Sequence, residues 1–460
     1  MFHPGQSSTA PTPQQLQKLK ADIHRKIVEM LDLSRLSRWG QERLRKEVRK
    51  LAQQLVESVP ECKTLGPPDK ERLVHEILDE VFGLGPLEPL MNDPTISDIL
   101  VNGPQTVYVE RNGRLEQVPI CFADNEHLMQ MIQRIVARVG RRLDEMSPMV
   151  DARLPDGSRV NAIAPPLALD GPVLSIRRFG ARLTAEDLIQ NGTMPVEFLA
   201  LLRAAVEARI SMVISGGAGT GKTTLLNVLS RYIPPEERLV TIEDSAELKL
   251  QQPHVVRLET RPPNLEGVGE VRQRDLVRNA LRMRPDRIII GECRGAEALD
   301  MLQAMNTGHE GSLTTVHAND TRDALARLEM MVMMAGYEMP VSVVRQYITS
   351  AITFVVHLTR LKGGARRVTR ISELVALRNR NYVVRDIFGF RQFGVRDGVA
   401  YGEFYATGKI PRCLDRIRAA GIDLPESLFA KRTIPADFEI VQTSPVTEKH
   451  SARKEVEVPH

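Results

Sequence analysis

The stretch Arg209-Ile-Ser-Met-Val-Ile-Ser-Gly-Gly-Ala-Gly-Thr-Gly-Lys-Thr-Thr224 decides how the rest of the chain is read. An apolar, β-prone run (Ile210, Met212, Val213, Ile214) leads into a loop with glycines at 216, 217, 219 and 221, and Leu225-Leu226-Asn227-Val228-Leu229 continues as a helix. Gly216 to Thr223 fits G-x-x-x-x-G-K-[ST] at every specified position. Glycines let backbone N–H groups converge on phosphate oxygens, and the helix that follows presents the positive end of its dipole. The nucleotide-contacting set is therefore Gly216, Gly217, Ala218, Gly219, Thr220, Gly221, Lys222, Thr223 and Thr224. Lys222 is placed to reach the β- and γ-phosphates, and the Thr223 hydroxyl to ligate Mg²⁺. A chance glycine-rich turn is the bland alternative, and the order strand, loop, helix argues against it. The stretch predicts an α/β fold that binds a nucleoside triphosphate.

Composition narrows the class. At 460 residues the chain has room for two or more domains. A net charge of +4, with acids and bases interspersed, does not mark a nucleic-acid binder. Aromatic residues make up only 4% of the chain, too few for base-stacking platforms. Cys62, Cys121, Cys293 and Cys413 lie far apart and form no C-x-x-C pair, which argues against a disulfide framework and a four-cysteine zinc site and suits a reducing compartment. The first residues lack a basic region followed by an apolar one, so no signal peptide is expected. The most apolar windows, such as 348–358, are too short to span a bilayer, so no transmembrane segment is expected.

Outward from the loop, the chain divides by pattern. Residues 1–13 read as a flexible lead and 14–82 as a helical bundle, with helices near 14–32, 41–57 and 68–82. Residues 83–180 turn to short strands, with one helix near 125–139, and form a small α/β domain. A linker is expected at 181–194. The nucleotide core runs over 195–430 with a C-terminal helical part, and 431–460 is expected to be a disordered tail.

In the small domain, Pro155-Asp156-Gly157 is a turn signal, so Val150 to Ala162 should form a hairpin. Centred on Asp156, that turn sets Arg153 opposite Arg159, on one face with Asp151 and Asn161. Two opposed arginines repel unless an anion or acid sits nearby. Either Asp151 neutralises them on an exposed face, or the pair is an anion clamp. Arg177 and Arg178 end the next strand.

In the core, Arg238-Leu-Val-Thr-Ile-Glu-Asp244 is an apolar strand ending in two acids, and Ile288 to Ile290 is a buried parallel strand ending near Glu292. Ligands of open parallel sheets sit outside the carboxyl ends of the strands. Glu292 then suits a Mg²⁺ partner and Glu243 the positioning or activation of the attacking water, although the two roles can be exchanged. His309 and His317 lie eight apart without a third ligand, so zinc is not expected; beside the strand ends they could contact or sense the γ-phosphate.

The order Gly216–Thr223, Thr241-Ile-Glu-Asp244, Ile290-Gly-Glu-Cys-Arg294 and Thr307-Gly-His309 with Thr315-Val-His317-Ala-Asn319 resembles the secretion-ATPase superfamily, whose boxes are called Walker A, Asp box, Walker B and His box. The resemblance implies a RecA-like core and ATP hydrolysis with Mg²⁺ by a homohexamer. That ring would be cytoplasmic, peripheral on the inner membrane, and would work with inner-membrane platform proteins of a pilus or secretion system. It also implies that Arg153, Arg159 and Arg177 reach the nucleotide phosphates. Within the superfamily the sequence is most similar to the CpaF-like Tad/Flp pilus assembly branch. Phe82-Gly-Leu-Gly-Pro-Leu-Glu-Pro-Leu90, Ile96-Ser-Asp-Ile-Leu-Val-Asn-Gly103, the arginine hairpin and Phe404-Tyr-Ala-Thr-Gly-Lys-Ile-Pro411 carry that likeness. The alternatives are a conjugation or type IV secretion traffic ATPase and, with no basic aromatic stripe to support it, a nucleic-acid motor. A GTPase is disfavoured because no N-K-x-D motif is present.

Overall fold

The computed structural model describes residues 41–435 apart from 63–64, 112, 179–182, 262 and 264–267, together with six positions between 19 and 27. The lead at 1–13, most of the first expected helix and 436–460 of the expected tail lie outside the described residues. No helix among the described residues is long and apolar enough to cross a membrane.

Helices α1 (Gln41–Ser58) and α2 (Pro67–Phe82) pack as a pair. Val48, Ala52 and Val56 of α1 and Leu73, Val74, Ile77 and Leu78 of α2 recur at helical spacing and share one small core. Pro67 and Pro68 occupy the first turn of α2, where a missing N–H costs nothing.

A short helix α3 (Glu88–Asn92) then leads into a six-stranded antiparallel sheet. Its strands are β1 (Ile96–Asn102), β2 (Val107–Arg111) and β3 (Arg114–Val118), then, after helix α4 (Asn125–Ala137), β4 (Met149–Arg153), β5 (Arg159–Ile163) and β6 (Val173–Arg177). Asp124 caps α4 by accepting the His127 N–H at 2.8 Å. Leu128, Met131, Ile132, Ile135 and Val136 cover the inner face of the sheet, all at most 1% exposed. The spatial order β3-β2-β1-β6-β5-β4 puts β6 between β1 and β5.

The segment 181–194, expected to be a linker, contains helix α5 (Ala185–Gln190), and Leu188 on it joins the main core. Thr184 and Asp187 form a reciprocal capping box, which is why so short a helix holds its ends. Beyond α6 (Val196–Glu207) come β7 (Met212–Gly216), α7 (Lys222–Ser230), β8 (Leu239–Glu243), β9 (Val255–Glu259), α8 (Gln273–Ala280), β10 (Arg287–Ile290), α9 (Glu297–Asn306), β11 (Leu313–His317), α10 (Thr321–Met333), α11 (Val341–Ala351) and β12 (Phe354–Arg360). In space the parallel strands run β12-β7-β11-β10-β8-β9. Helices cover both faces, so β7, β8 and β10 are buried at every residue and read as continuous apolar runs. Arg287 is a buried charge on β10, and its guanidinium makes a bidentate pair with Glu237 at 2.6 and 2.7 Å and donates to the Val206 carbonyl at 2.6 Å.

The C-terminal part departs from expectation. Instead of being mainly helical, it adds the antiparallel strands β13 (Arg366–Arg378), β14 (Asn381–Arg396) and β15 (Val399–Ala406), followed by one short helix α12 (Leu414–Ala419). Two-residue turns join these strands, at Asn379-Arg380 and Asp397-Gly398, all four residues with positive φ. Strand β16 (Arg432–Ile434) then pairs with β15, so the expected tail begins as sheet, and burial of Ile434 is the reason. The whole forms a ten-stranded sheet.

Candidate functional site

Everything the phosphate-loop pattern asks for sits at the carboxyl end of β7. Gly221, the residue before α7, has φ +96°, a left-handed conformation that side chains resist, and it turns the chain into the helix. Lys222 opens α7 at 7% exposure, its Nζ donating to the Gly217 carbonyl at 2.8 Å and lying 3.4 Å from His317 Nε2. Burial, together with the charges of Arg177 and Arg294 and against the pull of Glu292, lowers the lysine to about 8. A positive charge so poorly compensated is a ready partner for phosphate.

The parallel sheet brings the carboxylates alongside. Glu243 ends β8 and Glu292 follows β10, and β8 and β10 pair in register from Leu239 with Arg287 to Ile242 with Ile290. Thr223, Glu243, Glu292, Arg294 and Arg159 line one small cleft. Glu243 is 3% exposed, and its Oε1 accepts the N–H groups of Glu247 and Leu248 at 2.7 and 2.8 Å, leaving Oε2 without a partner. Burial outweighs those two bonds and pushes the carboxyl up to about 7. Gly291 leaves the room for it, because a Cβ there would stand 2.8 Å from Glu243 Cγ. Glu292 is held by Arg294 Nη2 at 2.6 Å and lies 2.8 Å from His317 Nε2. Burial, and next Lys222, depress the His317 pKa, so its ring is neutral near pH 7.

This geometry carries a stability prediction. The folded pKa of Glu243, about 7, lies above its ordinary 4.5, so the group contributes stability below pH 4.5 that is lost as pH rises through 7. Glu243→Gln keeps an acceptor for the two N–H groups and cannot ionise. The variant should be more stable than the parent at pH 8 by about 3 kcal/mol, the gap closing towards pH 4.5. Urea unfolding without nucleotide at pH 5, 6.5 and 8 checks this, and a gap that does not change with pH would contradict it.

The six-stranded sheet reaches the same cleft. Arg153 pairs across the hairpin with Arg159, and Arg159 pairs with Arg177 on β6, so the three guanidinium groups form one row. Val150 and Val160 are buried while Asp151 and Asn161 are exposed, as two-residue alternation demands. Asp151 does not neutralise the row; its Oδ1 accepts from Asn161 at 3.0 Å. The acids come instead from the core. Arg153 Nη1 donates to Glu259 at 2.9 Å and its Nη2 to the Ala246 carbonyl, while Arg159 Nη1 lies 3.8 Å from Glu247. Arg178 is spent locally, donating to the carbonyls of Leu90, Asp93 and Ile96.

His309 lies elsewhere. It precedes β11, two residues before Gly311, whose N–H donates to the Ser211 hydroxyl ahead of β7 and whose carbonyl accepts from the buried Arg287 that starts β10. That is the amino end of the parallel strands, opposite the carboxyl end that holds the phosphate loop, because the length of β11 separates the two histidines. Sequence reading passed over Arg294, Glu247 and Glu259; Arg294 stood two residues from Glu292, where a neighbouring acid was the available signal.

An orphaned buried oxygen on Glu243, the Glu292 carboxylate and the Thr223 hydroxyl in one cleft form a hard oxygen-donor set that fits Mg²⁺. Among the described residues no cluster of His, Cys, Asp or Glu could hold a metal by itself, and Mg²⁺ bound through substrate phosphates needs none.

Residues 80–385 match the family model described as type II/IV secretion system protein. The chain belongs to that family. A putative conjugal transfer protein of Mycobacterium tuberculosis is 40% identical over 304 residues, 64% of this chain and 85% of that protein. The type IV secretion system protein VirB11 of Brucella suis is 32% identical over 305 residues, 60% of this chain and 84% of that one. Among solved structures, the Brucella suis VirB11 ATPase in complex with sulphate is similar at 31% identity and TM-score 0.35, covering 64% of this chain and 97% of that chain. The Legionella pneumophila ATPase DotB aligns at 22% identity and TM-score 0.45, covering 63% and 79%.

Proposed function

We propose that this family member hydrolyses ATP with Mg²⁺ and works as a homohexameric motor for Tad/Flp-type pilus assembly, peripheral on the cytoplasmic face of the inner membrane and bound to platform proteins there. One observation carries the reading: the phosphate loop, two strand-end carboxylates and an arginine from a separate sheet line a single cleft. In it, Lys222 and the loop N–H groups hold the β- and γ-phosphates, and Arg159 and Arg177 close over them. Thr223 and Glu292 would hold the Mg²⁺, which when bound neutralises phosphate charge. Glu243 accepts the proton of the attacking water; its Oε2 is unpartnered and its pKa of about 7 matches the task. His317, between Lys222 and Glu292, senses the γ-phosphate.

The second reading is a conjugation or type IV secretion traffic ATPase, supported by the names of the relatives in Mycobacterium tuberculosis and Brucella suis. A chromosomal Lys222→Ala strain separates the two. Loss of surface pili with unchanged plasmid transfer is expected; loss of transfer with normal piliation would establish the second reading instead.

A further inference from the structure

The arginine row continues across the sheet with reversed sign. Arg177 pairs with Asp98 on β1, and Asp98 pairs with Glu110 on β2, so five adjacent strands present Arg153, Arg159, Arg177, Asp98 and Glu110 in one line. Residues paired this way share a face. The core opposes each end with the opposite charge. Glu259 and Glu247 meet the arginine end, and the acid end meets two arginines of the β12–β13 hairpin. Glu110 Oε2 lies 3.2 Å from Arg360 Nη2, and its Oε1 lies 3.7 Å from Arg366 Nη2.

Those two arginines rest on the phosphate loop. Arg366 Nε donates to the Gly219 carbonyl at 2.9 Å, and its Cδ would stand 3.5 Å from a Cβ on Gly221. Arg360 Nη1 would stand 3.5 Å from a Cβ on Gly219, and its Nη2 donates to the Gly113 carbonyl at 2.6 Å. Burial, and next Arg360, hold the Arg366 guanidinium below the usual arginine value, with Glu110 and Asp98 opposing. Here two arginines share one principal carboxylate beside a loop built to hold several phosphate charges.

We propose that Arg360 and Arg366 are further ligands of the nucleotide phosphates and that Glu110 is the anion those phosphates displace. A triphosphate offers each guanidinium a more highly charged, bidentate acceptor than a carboxylate does. Its arrival draws Arg366 and Arg360 off Glu110 and repels the acid end of the row. The same charge attracts Arg159 and Arg177. The sheet therefore tilts over the loop, arginine end in and acid end out, which gives nucleotide binding a direct mechanical output. The proposal rests on Gly216–Thr224 being the nucleotide site.

Equilibrium titration of ATP against the full chain tests it, with Lys222→Ala as the reference for that underlying reading. Glu110→Gln keeps the shape and removes the competing charge, so ATP affinity should rise by about fivefold or more. Arg366→Gln should lower it by about tenfold or more, as expected for a lost charged hydrogen bond. Unchanged affinity in either variant, with Lys222→Ala failing to bind, overturns the proposal and leaves the site standing. Full ATP binding by Lys222→Ala overturns the site itself, and the proposal with it. Should Arg366→Gln not fold, the isosteric Glu110→Gln decides alone.

Discussion

Arg159→Ala should lower ATP turnover by about 10³- to 10⁵-fold, the range of a lost arginine finger. The expectation comes from position. Arg159 lines the cleft with Thr223 and Glu292, and its nearest acid, Glu247, stands at 3.8 Å, too long for a strong pair. Its guanidinium is therefore held in place by the register of β4, β5 and β6 and remains available to phosphate. Arg153 is different. It already donates to Glu259 and to the Ala246 carbonyl, so Arg153→Ala should mainly weaken docking of the sheet and cost far less turnover. Phosphate release at saturating ATP, with circular dichroism to confirm folding, checks both. A loss of tenfold or less for Arg159→Ala would return the row to an ordinary exposed face.

Glu292→Gln should cost about 10²- to 10³-fold in turnover while ATP still binds, as for removal of one preorganised electrostatic group. Glu292 joins the groups of the cleft: Arg294 at 2.6 Å, His317 at 2.8 Å and, through its charge, Lys222. Gln preserves the shape and removes the charge that acts on Lys222 and that, in the proposed reading, would hold Mg²⁺. Isothermal titration paired with phosphate release separates the two effects. Equal loss of binding and turnover would mean that Glu292 organises the loop and has no role confined to the transition state.

Local rules explain what was legible in the sequence. Gly216–Thr223 could be read because one loop geometry demands those residues at that spacing. The hairpin register could be read because Pro155-Asp156-Gly157 fixes the turn and two-residue alternation does the rest. The buried run at Ile288–Ile290 followed from a sheet covered on both faces. The misses have equally physical causes. The expected linker hides a helix because its signal, Thr184 with Asp187, is a capping box only four residues long. The antiparallel C-terminal sheet was announced by Asp397-Gly398, a hairpin dipeptide, but Asn379-Arg380 lacks the glycine that marks such turns. His309 falls away from the site because an entire strand separates it from His317. No local pattern could join Glu110 to Arg360 and Arg366: that contact runs between two separate sheets whose strands lie far apart in the sequence.

The central claim is that ATP is hydrolysed at Gly216–Thr224. It is tested most directly by phosphate release from the purified full chain with ATP and Mg²⁺, measured beside Lys222→Ala at equal concentration. The expected result is steady turnover by the parent chain and none above background in the variant, with both melting alike. Equal turnover by the two proteins, or none by the folded parent, would contradict it.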